Sequence, residues 1–277
     1  MDLENDKVVH IKKDKIDYLQ FRDLLGYPQI NHAYIIKPHG MNFRLGTDFH
    51  NLEMVKENLR IVSEEIGFDY KTIIRPDFEH TANVQVVDFV DNSEETPELC
   101  GKRFKDVDGL VTDKKNITLM ATNADCNLII LFDPIKNVVG NIHAGWRGTF
   151  NKIASNAIKL MNEKFGCNQE DIRAYLCPSI RKCHFEVDTD VAKMCEELFS
   201  YTGKINDIIE IGEIKNDKQK YFIDTVLINK ILLKENGILE ENIFDSGICS
   251  VCCSELVHSR RAEGEFFGVG TSIVALK

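Results

Sequence analysis

Residues 124–148 read ADCNLIILFDPIKNVVGNIHAGWRG. Two apolar runs, residues 128–132 and 138–142, flank Asp133-Pro134-Ile135-Lys136-Asn137. Short apolar runs bounded by turn formers suit strands, and the polar, proline-bearing link suits a reversal. A strand, a turn and a second strand would return the chain to one sheet edge. The stretch starts at Asn123-Ala124-Asp125-Cys126 and ends at His143-Ala144-Gly145-Trp146-Arg147-Gly148, so Cys126 and His143 can meet there. A thiol facing an imidazole suits either a metal or nucleophilic catalysis.

At 277 residues the chain could hold one large domain or two small ones. Its 43% apolar and 28% charged residues are ordinary for a globular protein. The formal net charge of -10 argues against broad nucleic-acid binding, which needs a basic face. A small anionic substrate is still compatible, because a few local arginines and lysines suffice. No apolar run approaches the ~20 residues of a membrane helix, and the opening MDLENDKVVHIKKDK lacks the apolar core of a signal peptide. A cytoplasmic protein without membrane or nucleic-acid partners is expected. In that compartment the nine cysteines are expected to be reduced thiols or metal ligands.

Outward from the central stretch, helices are expected at residues 51–67, 149–165 and 189–200, with a fourth following Asp224 and stopped by Gly237. In the first, Leu52, Val55, Leu59, Val62 and Ile66 recur at helical spacing and Gly67 can end it. Asp188 and Asp224 can cap the last two. Strands are expected at residues 30–36, 72–74, 83–87, 108–113, 117–122, 173–177, 183–187, 220–223 and 270–276. Residues 91–106 read as a loop. The charged residues 1–20, with a short alternating piece at 7–11, read as an edge strand or a mobile lead-in, and a lead-in could extend over residues 1–25. Strands and helices intermix without strict alternation, and no linker forces a cut. The expected fold class is α+β: one domain over residues 1–277, with mixed β-sheets flanked by helices.

Among eight histidines and nine cysteines, the informative ones sit at strand ends in polar or glycine-containing settings. His80, in Glu79-His80-Thr81, is a third such residue beside Cys126 and His143. Two imidazoles and a thiolate make a three-ligand zinc set with a fourth position open. Zinc bound in this way lowers the pKa of bound water. A metal-free Cys–His dyad, or a buried thiol beside a hydrogen-bonded histidine, are the alternatives on residues alone. Cys249-Ser250-Val251-Cys252 has the spacing of half a zinc knuckle, and no second such pair exists, so a complete knuckle is not expected. Arg147, Arg260 and Arg261 can bind phosphate through forked donors, although surface ion pairs are the commoner fate of an arginine. His39, His184 and His258 are further candidates.

These motifs resemble the signature of the multicopper polyphenol oxidase (laccase-domain) family, now described as purine nucleoside phosphorylases with adenosine deaminase activity. The resemblance runs from about residue 31 to the C-terminus. It rests on Asp108-Gly109-Leu110-Val111-Thr112, Ala124-Asp125-Cys126, residues 143–148, residues 177–187 (CPSIRKCHFEV), and Cys249-Ser250 through Ser259-Arg260-Arg261. It implies zinc held by His80, Cys126 and His143, with copper as the other candidate metal. Cys126, His143 and Asp125 are the implied catalytic group, and Arg147, Arg260 and His184 the implied substrate and phosphate contacts. The implied partners are a purine nucleoside and phosphate. Departures from the family pattern fall at Lys37, Phe78, Cys177 and His258. Other readings are a copper-dependent phenol oxidase, an amidase on cell-wall precursors with Cys126 as nucleophile or ligand, and a binding module with structural zinc. In the last, Cys183 or His184 would supply a fourth ligand. The absence of any His-x-His pair argues against the trinuclear centre of a copper oxidase.

Overall fold

The computed structural model describes residues 2–46, 49–91, 97–99 and 103–277. Within the expected loop at 91–106, residues 92–96 and 100–102, Cys100 among them, therefore lie outside the described residues. In chain order the elements are β1 (Val8–Lys12), β2 (Asp17–Phe21), β3 (Ile30–Ile35), α1 (Phe49–Ile66), β4 (Ile73–Ile74), β5 (Val84–Val86), β6 (Gly109–Thr112), β7 (Thr118–Asn123), β8 (Asn127–Asp133) and β9 (Val138–Ala144). There follow α2 (Trp146–Phe150), α3 (Ile153–Phe165), β10 (Arg173–Leu176), β11 (Glu186–Val187), α4 (Thr189–Phe199), α5 (Ile205–Ile208), β12 (Ile209–Lys215), β13 (Lys218–Ile223), α6 (Thr225–Glu235), β14 (Ile243–Asp245), α7 (Arg260–Glu263) and β15 (Gly270–Leu276).

The expected hairpin is β8–β9. Leu128 lies opposite His143 and Asn127 opposite Ala144. The Asp133 carboxylate accepts the N–H groups of Ile135 and Lys136 at 2.8 and 2.9 Å, which closes the turn. Asn137 takes the left-handed conformation, φ 53°, that brings the chain back.

Two six-stranded sheets run β1-β2-β3-β15-β7-β4 and β14-β10-β8-β9-β6-β5, and a small third sheet runs β11-β13-β12. The large sheets pack face to face. Leu19, Tyr34, Leu119 and Val274 of the first meet Leu110, Leu128, Ile130, Phe132, Val139 and Tyr175 of the second. On the outer face of the first sheet, Ile35, Met120 and Ile273 pack on Val55, Leu59 and Val62 of α1. Those three helix side chains are fully buried, each contributing on the order of 2 kcal/mol. On the outer face of the second, Ile129, Leu131 and Ile142 pack on Ile153, Ala157 and Met161 of α3. Both faces of β8 and β9 are thus covered, and every residue of either strand is buried. That is why their sequences run apolar without alternation. The architecture is the expected α+β class: mixed sheets between helices.

Several local expectations change. Of the two N-terminal readings, the edge strand holds: β1 stands at the edge of the first sheet, and no lead-in runs through residue 25. β1 and β2 extend the first sheet, with Val8, Leu19 and Phe21 in the core between the sheets. Arg173 and Tyr175 of β10 grip Asp23 at 2.7–2.8 and 2.6 Å. The expected helix at 149–165 is two helices, α2 and α3, broken at Lys152, whose φ is 61°. The strand expected at 183–187 is confined to β11. Before it the chain turns, with the N–H groups of His184 and Phe185 both on the Arg181 carbonyl. Asp188 stands at the head of α4, but its carboxylate pairs with Lys220 and caps nothing. Asp224 does cap α6, accepting the Leu227 N–H at 2.8 Å. Among the described residues no helix is long and apolar enough to cross a membrane.

Candidate metal centre

The donor atoms of His80, Cys126 and His143 lie within 4.8 Å of one another. Cys126 stands one residue before β8 and His143 is on β9, so the hairpin register brings them together. The Cys126 Sγ is 3.8 Å from His80 Nε2. The two imidazole rings meet edge to face with centroids 5.0 Å apart. His80 sits in the loop between β4 and β5 with φ 58°, a left-handed conformation that a non-glycine residue adopts at some cost.

A single buried carboxylate holds the loop and the ring together. Asp108, fully buried, accepts from His143 Nδ1 at 2.8 Å and from the N–H groups of His80 and Thr81 at 3.0 and 2.7 Å. The Thr81 hydroxyl donates to the same carboxylate at 2.8 Å, and the Asp108 carbonyl accepts the His143 N–H at 2.7 Å. With Nδ1 held by Asp108, the other ring nitrogen of His143 is turned toward the Cys126 thiol. This is the carboxylate–histidine arrangement that orients metal-ligating imidazoles. The sequence reading passed over Asp108, although its place directly before β6, the neighbour of β9, is the signal that could have found it.

Glycine at 145 is required by this approach. A Cβ there would lie 2.7 Å from His80 Cδ2 and 3.4 Å from Cys126 Sγ. At Gly148 it would lie 2.7 Å from the Thr81 carbonyl. The two glycines of the His-Ala-Gly-Trp-Arg-Gly motif let α2 press against the His80 loop.

The electrostatics favour a ligating thiolate. Burial works to raise the Cys126 pKa, but His143, then His80, bring it down to about 6. Burial works to lower that of His143, but the Cys126 thiolate and the Asp108 carboxylate lift it to about 9. One deprotonated thiol and two imidazoles fit zinc, and three protein donors leave one tetrahedral position open.

The other expected site residues have partners of their own. Asp125, φ 89°, has both carboxylate oxygens engaged. Ser250 and Ser259 hydroxyls donate to Oδ1 at 2.6 Å each, and the Arg261 N–H to Oδ2 at 2.8 Å. It ties the Cys126 turn to the C-terminal segment. Arg147 is exposed on α2, its guanidinium 4.3 Å over the Trp146 ring. Arg260 is exposed on α7, with its guanidinium 5.6 Å over Phe267, in a cleft also lined by Arg44. His184 lies outside the trio, beside three other cysteines. His39 pairs with Asp17 at 3.0 Å. His258 is buried between the Glu263 carboxylate and the Met41 carbonyl.

The departures have local partners too. Phe78 lies against His143, centroids 4.8 Å apart, and Lys37 pairs with Glu263 at 2.7 Å. Cys177 is buried in the core between the sheets.

The profile of the family described as "Multi-copper polyphenol oxidoreductase laccase" matches residues 37–277. The chain belongs to this family. A mouse member, purine nucleoside phosphorylase LACC1, is 28% identical over 81% of this chain and 48% of its own. The chain thus spans about half the length of the mammalian relatives it matches. Purine nucleoside phosphorylase YlmD of Bacillus subtilis is 28% identical over 92% of this chain and 88% of its own. Adenosine deaminase RL5, from an unknown prokaryote, is 31% identical over 68% of this chain and 69% of its own. The crystal structure of Bacillus licheniformis YfiH superposes with a TM-score of 0.82 at 25% identity, covering 97% of this chain and 99% of that one.

Proposed function

We propose that this member of the laccase family is a zinc-dependent purine nucleoside phosphorylase that also deaminates adenosine. The observation that carries the reading is the open three-donor group His80–Cys126–His143, braced by the buried Asp108. The names of the bacterial relatives supply the substrate class. Adenosine, inosine, guanosine and methylthioadenosine are the proposed nucleosides.

Zinc on the trio would supply a Lewis acid and, at its open position, water of lowered pKa. The chain's own residues do the rest. Asp108 fixes the ring of His143 and the backbone of the His80 loop. In phosphorolysis a phosphate oxygen bonds to C1′ of the ribose as the C1′–N9 bond breaks, giving the free base and ribose 1-phosphate. Arg147 and Arg260 are proposed to hold the phosphate with their forked donors. In deamination water adds at C6 and ammonia leaves. Asp125 is proposed to act by holding the Cys126 turn against the segment that carries Arg260.

Zinc-replete protein incubated with the four nucleosides, with and without phosphate, tests this by product separation. The expected products are base and ribose 1-phosphate from inosine only with phosphate, and inosine from adenosine without it. Cys126→Ala should lose both. No turnover in a zinc-replete sample sinks the reading. Oxygen uptake on a phenol would favour the copper oxidase in its place.

A further inference from the structure

Four donors outside the trio converge at a second point. The Cys183 Sγ lies 3.7 Å from Cys249 Sγ and 4.0 Å from Cys252 Sγ. His184 Nδ1 lies 3.1, 3.7 and 3.5 Å from the sulfurs of Cys183, Cys249 and Cys252. All four donor atoms are within 4.8 Å of one another. In a tetrahedral zinc site, bonds of about 2.3 Å to sulfur and 2.0–2.1 Å to nitrogen separate two sulfurs by ~3.8 Å and sulfur from nitrogen by ~3.6 Å. The observed spacings scatter around these values.

The backbone at this point turns tightly. The Cys253 N–H donates to the Cys249 carbonyl at 3.0 Å, which folds residues 249–253 back on themselves. Cys183 and His184 are adjacent in sequence, and the turn on the Arg181 carbonyl brings both to one point. Arg261 donates to the His184 carbonyl at 2.8 Å and to the Glu186 carbonyl at 3.0 Å, fixing the ligand segment from outside.

We propose that Cys183, His184, Cys249 and Cys252 bind a zinc ion as a closed, structural Cys3His site. Four protein ligands fill the tetrahedron, so the site holds segments together and opens no position to substrate. It pins residues 179–187 to residues 249–253. These segments also meet through the Ser250 N–H on the Ser179 carbonyl at 3.0 Å. Ser250, between the ligands, donates to Asp125, and the Ile180 N–H donates to the Asp125 carbonyl at 2.8 Å. The closed site therefore steadies the turn that carries Cys126.

The test uses full-length Cys126→Ala protein, purified under reducing conditions, so that failure here is separate from failure of the proposed enzyme. It is expected to retain one tightly held zinc. Replacing that zinc with cobalt should give the intense thiolate charge-transfer bands of a tetrahedral site, which the two histidines left at the other centre cannot produce. Adding Cys252→Ser should weaken those bands, since one of three thiolates is lost, and unchanged bands would overturn the assignment of Cys252. A folded Cys126→Ala protein with neither zinc nor cobalt–thiolate bands overturns the proposal. So does peptide mapping that finds Cys183 and Cys249 joined as a disulfide in zinc-equilibrated wild-type protein. Should Cys252→Ser fail to fold, chelator titration of Cys126→Ala decides: loss of zinc with a fall in Tm supports the site, and an unchanged Tm overturns it.

Discussion

At the scale of single residues, Asp108 and Gly145 shape the candidate centre without offering it a ligand atom. Asp108 gathers a ring N–H, backbone N–H groups and a hydroxyl on one buried carboxylate. An amide at that position cannot accept them all, and its own NH2 would face donors. Asp108→Asn is expected to weaken zinc binding by roughly 10–100-fold, measured by competition with a chromophoric chelator, while the folded state is retained. Gly145 is governed by space. Its φ of -58° suits any residue, but an added methyl collides with His80 Cδ2 at 2.7 Å. Gly145→Ala should displace His80 and lower zinc affinity with little change in Tm. An equal fall in both would show that the glycine serves the fold instead.

At the scale of elements, the break between α2 and α3 departs most clearly from the apolar periodicity. The pattern of Phe150, Ile153, Ala157, Leu160 and Met161 reads through the break, because both helices lie against the same sheet and α6. What interrupts the helix is Lys152, held at φ 61°. A left-handed lysine costs about 1 kcal/mol or more, part of which glycine recovers and part of which its looser unfolded chain gives back. Lys152→Gly is therefore expected to stabilise the protein by about 0.5 kcal/mol, read as a rise in the denaturant midpoint. A fall would mean that the lysine's contact with the Tyr201 ring, 5.2 Å away, outweighs the strain.

At the scale of the molecule, ion pairs join segments that are far apart in the chain. Asp245 of β14 holds Arg181 through two bonds at 2.7 and 2.9 Å and Lys230 of α6 at 2.6 Å. Burial works against its charge, but Arg181 and Lys230 and the Gly247 N–H bring its pKa down from 3.8 to about 2. A carboxyl whose folded pKa is depressed contributes stability above its unfolded pKa and loses it as pH falls through the folded value. Its contribution, on the order of 2 kcal/mol, is thus full at neutral pH and fades below the ordinary carboxylate pKa. Asp245→Asn should cost about that much at pH 7 and progressively less toward pH 2–3, followed by urea unfolding at each pH. A cost independent of pH would show that packing, not charge, holds this corner.

Much of the fold and centre was legible in local residue chemistry. The hairpin at 124–148, the caps at Asp224 and Gly237, the amphipathic α1 and the strand Gly270–Leu276 follow from spacing and turn chemistry, which act over a few residues. The pairing of Cys126 with His143 follows from the hairpin alone, since register and turn length fix which ends meet. What tertiary structure decided lies between segments distant in sequence. Asp108 became the hub because β6 pairs with β9. The charged N-terminal strands proved integral because they had a sheet edge to complete. Cys249-Ser250-Val251-Cys252 looked like half a knuckle because its partners are no second Cys-x-x-Cys. They are neighbouring residues, Cys183 and His184, which in a strand would point to opposite faces. Only the turn at Arg181, packed against the C-terminal segment, aims both side chains at one point.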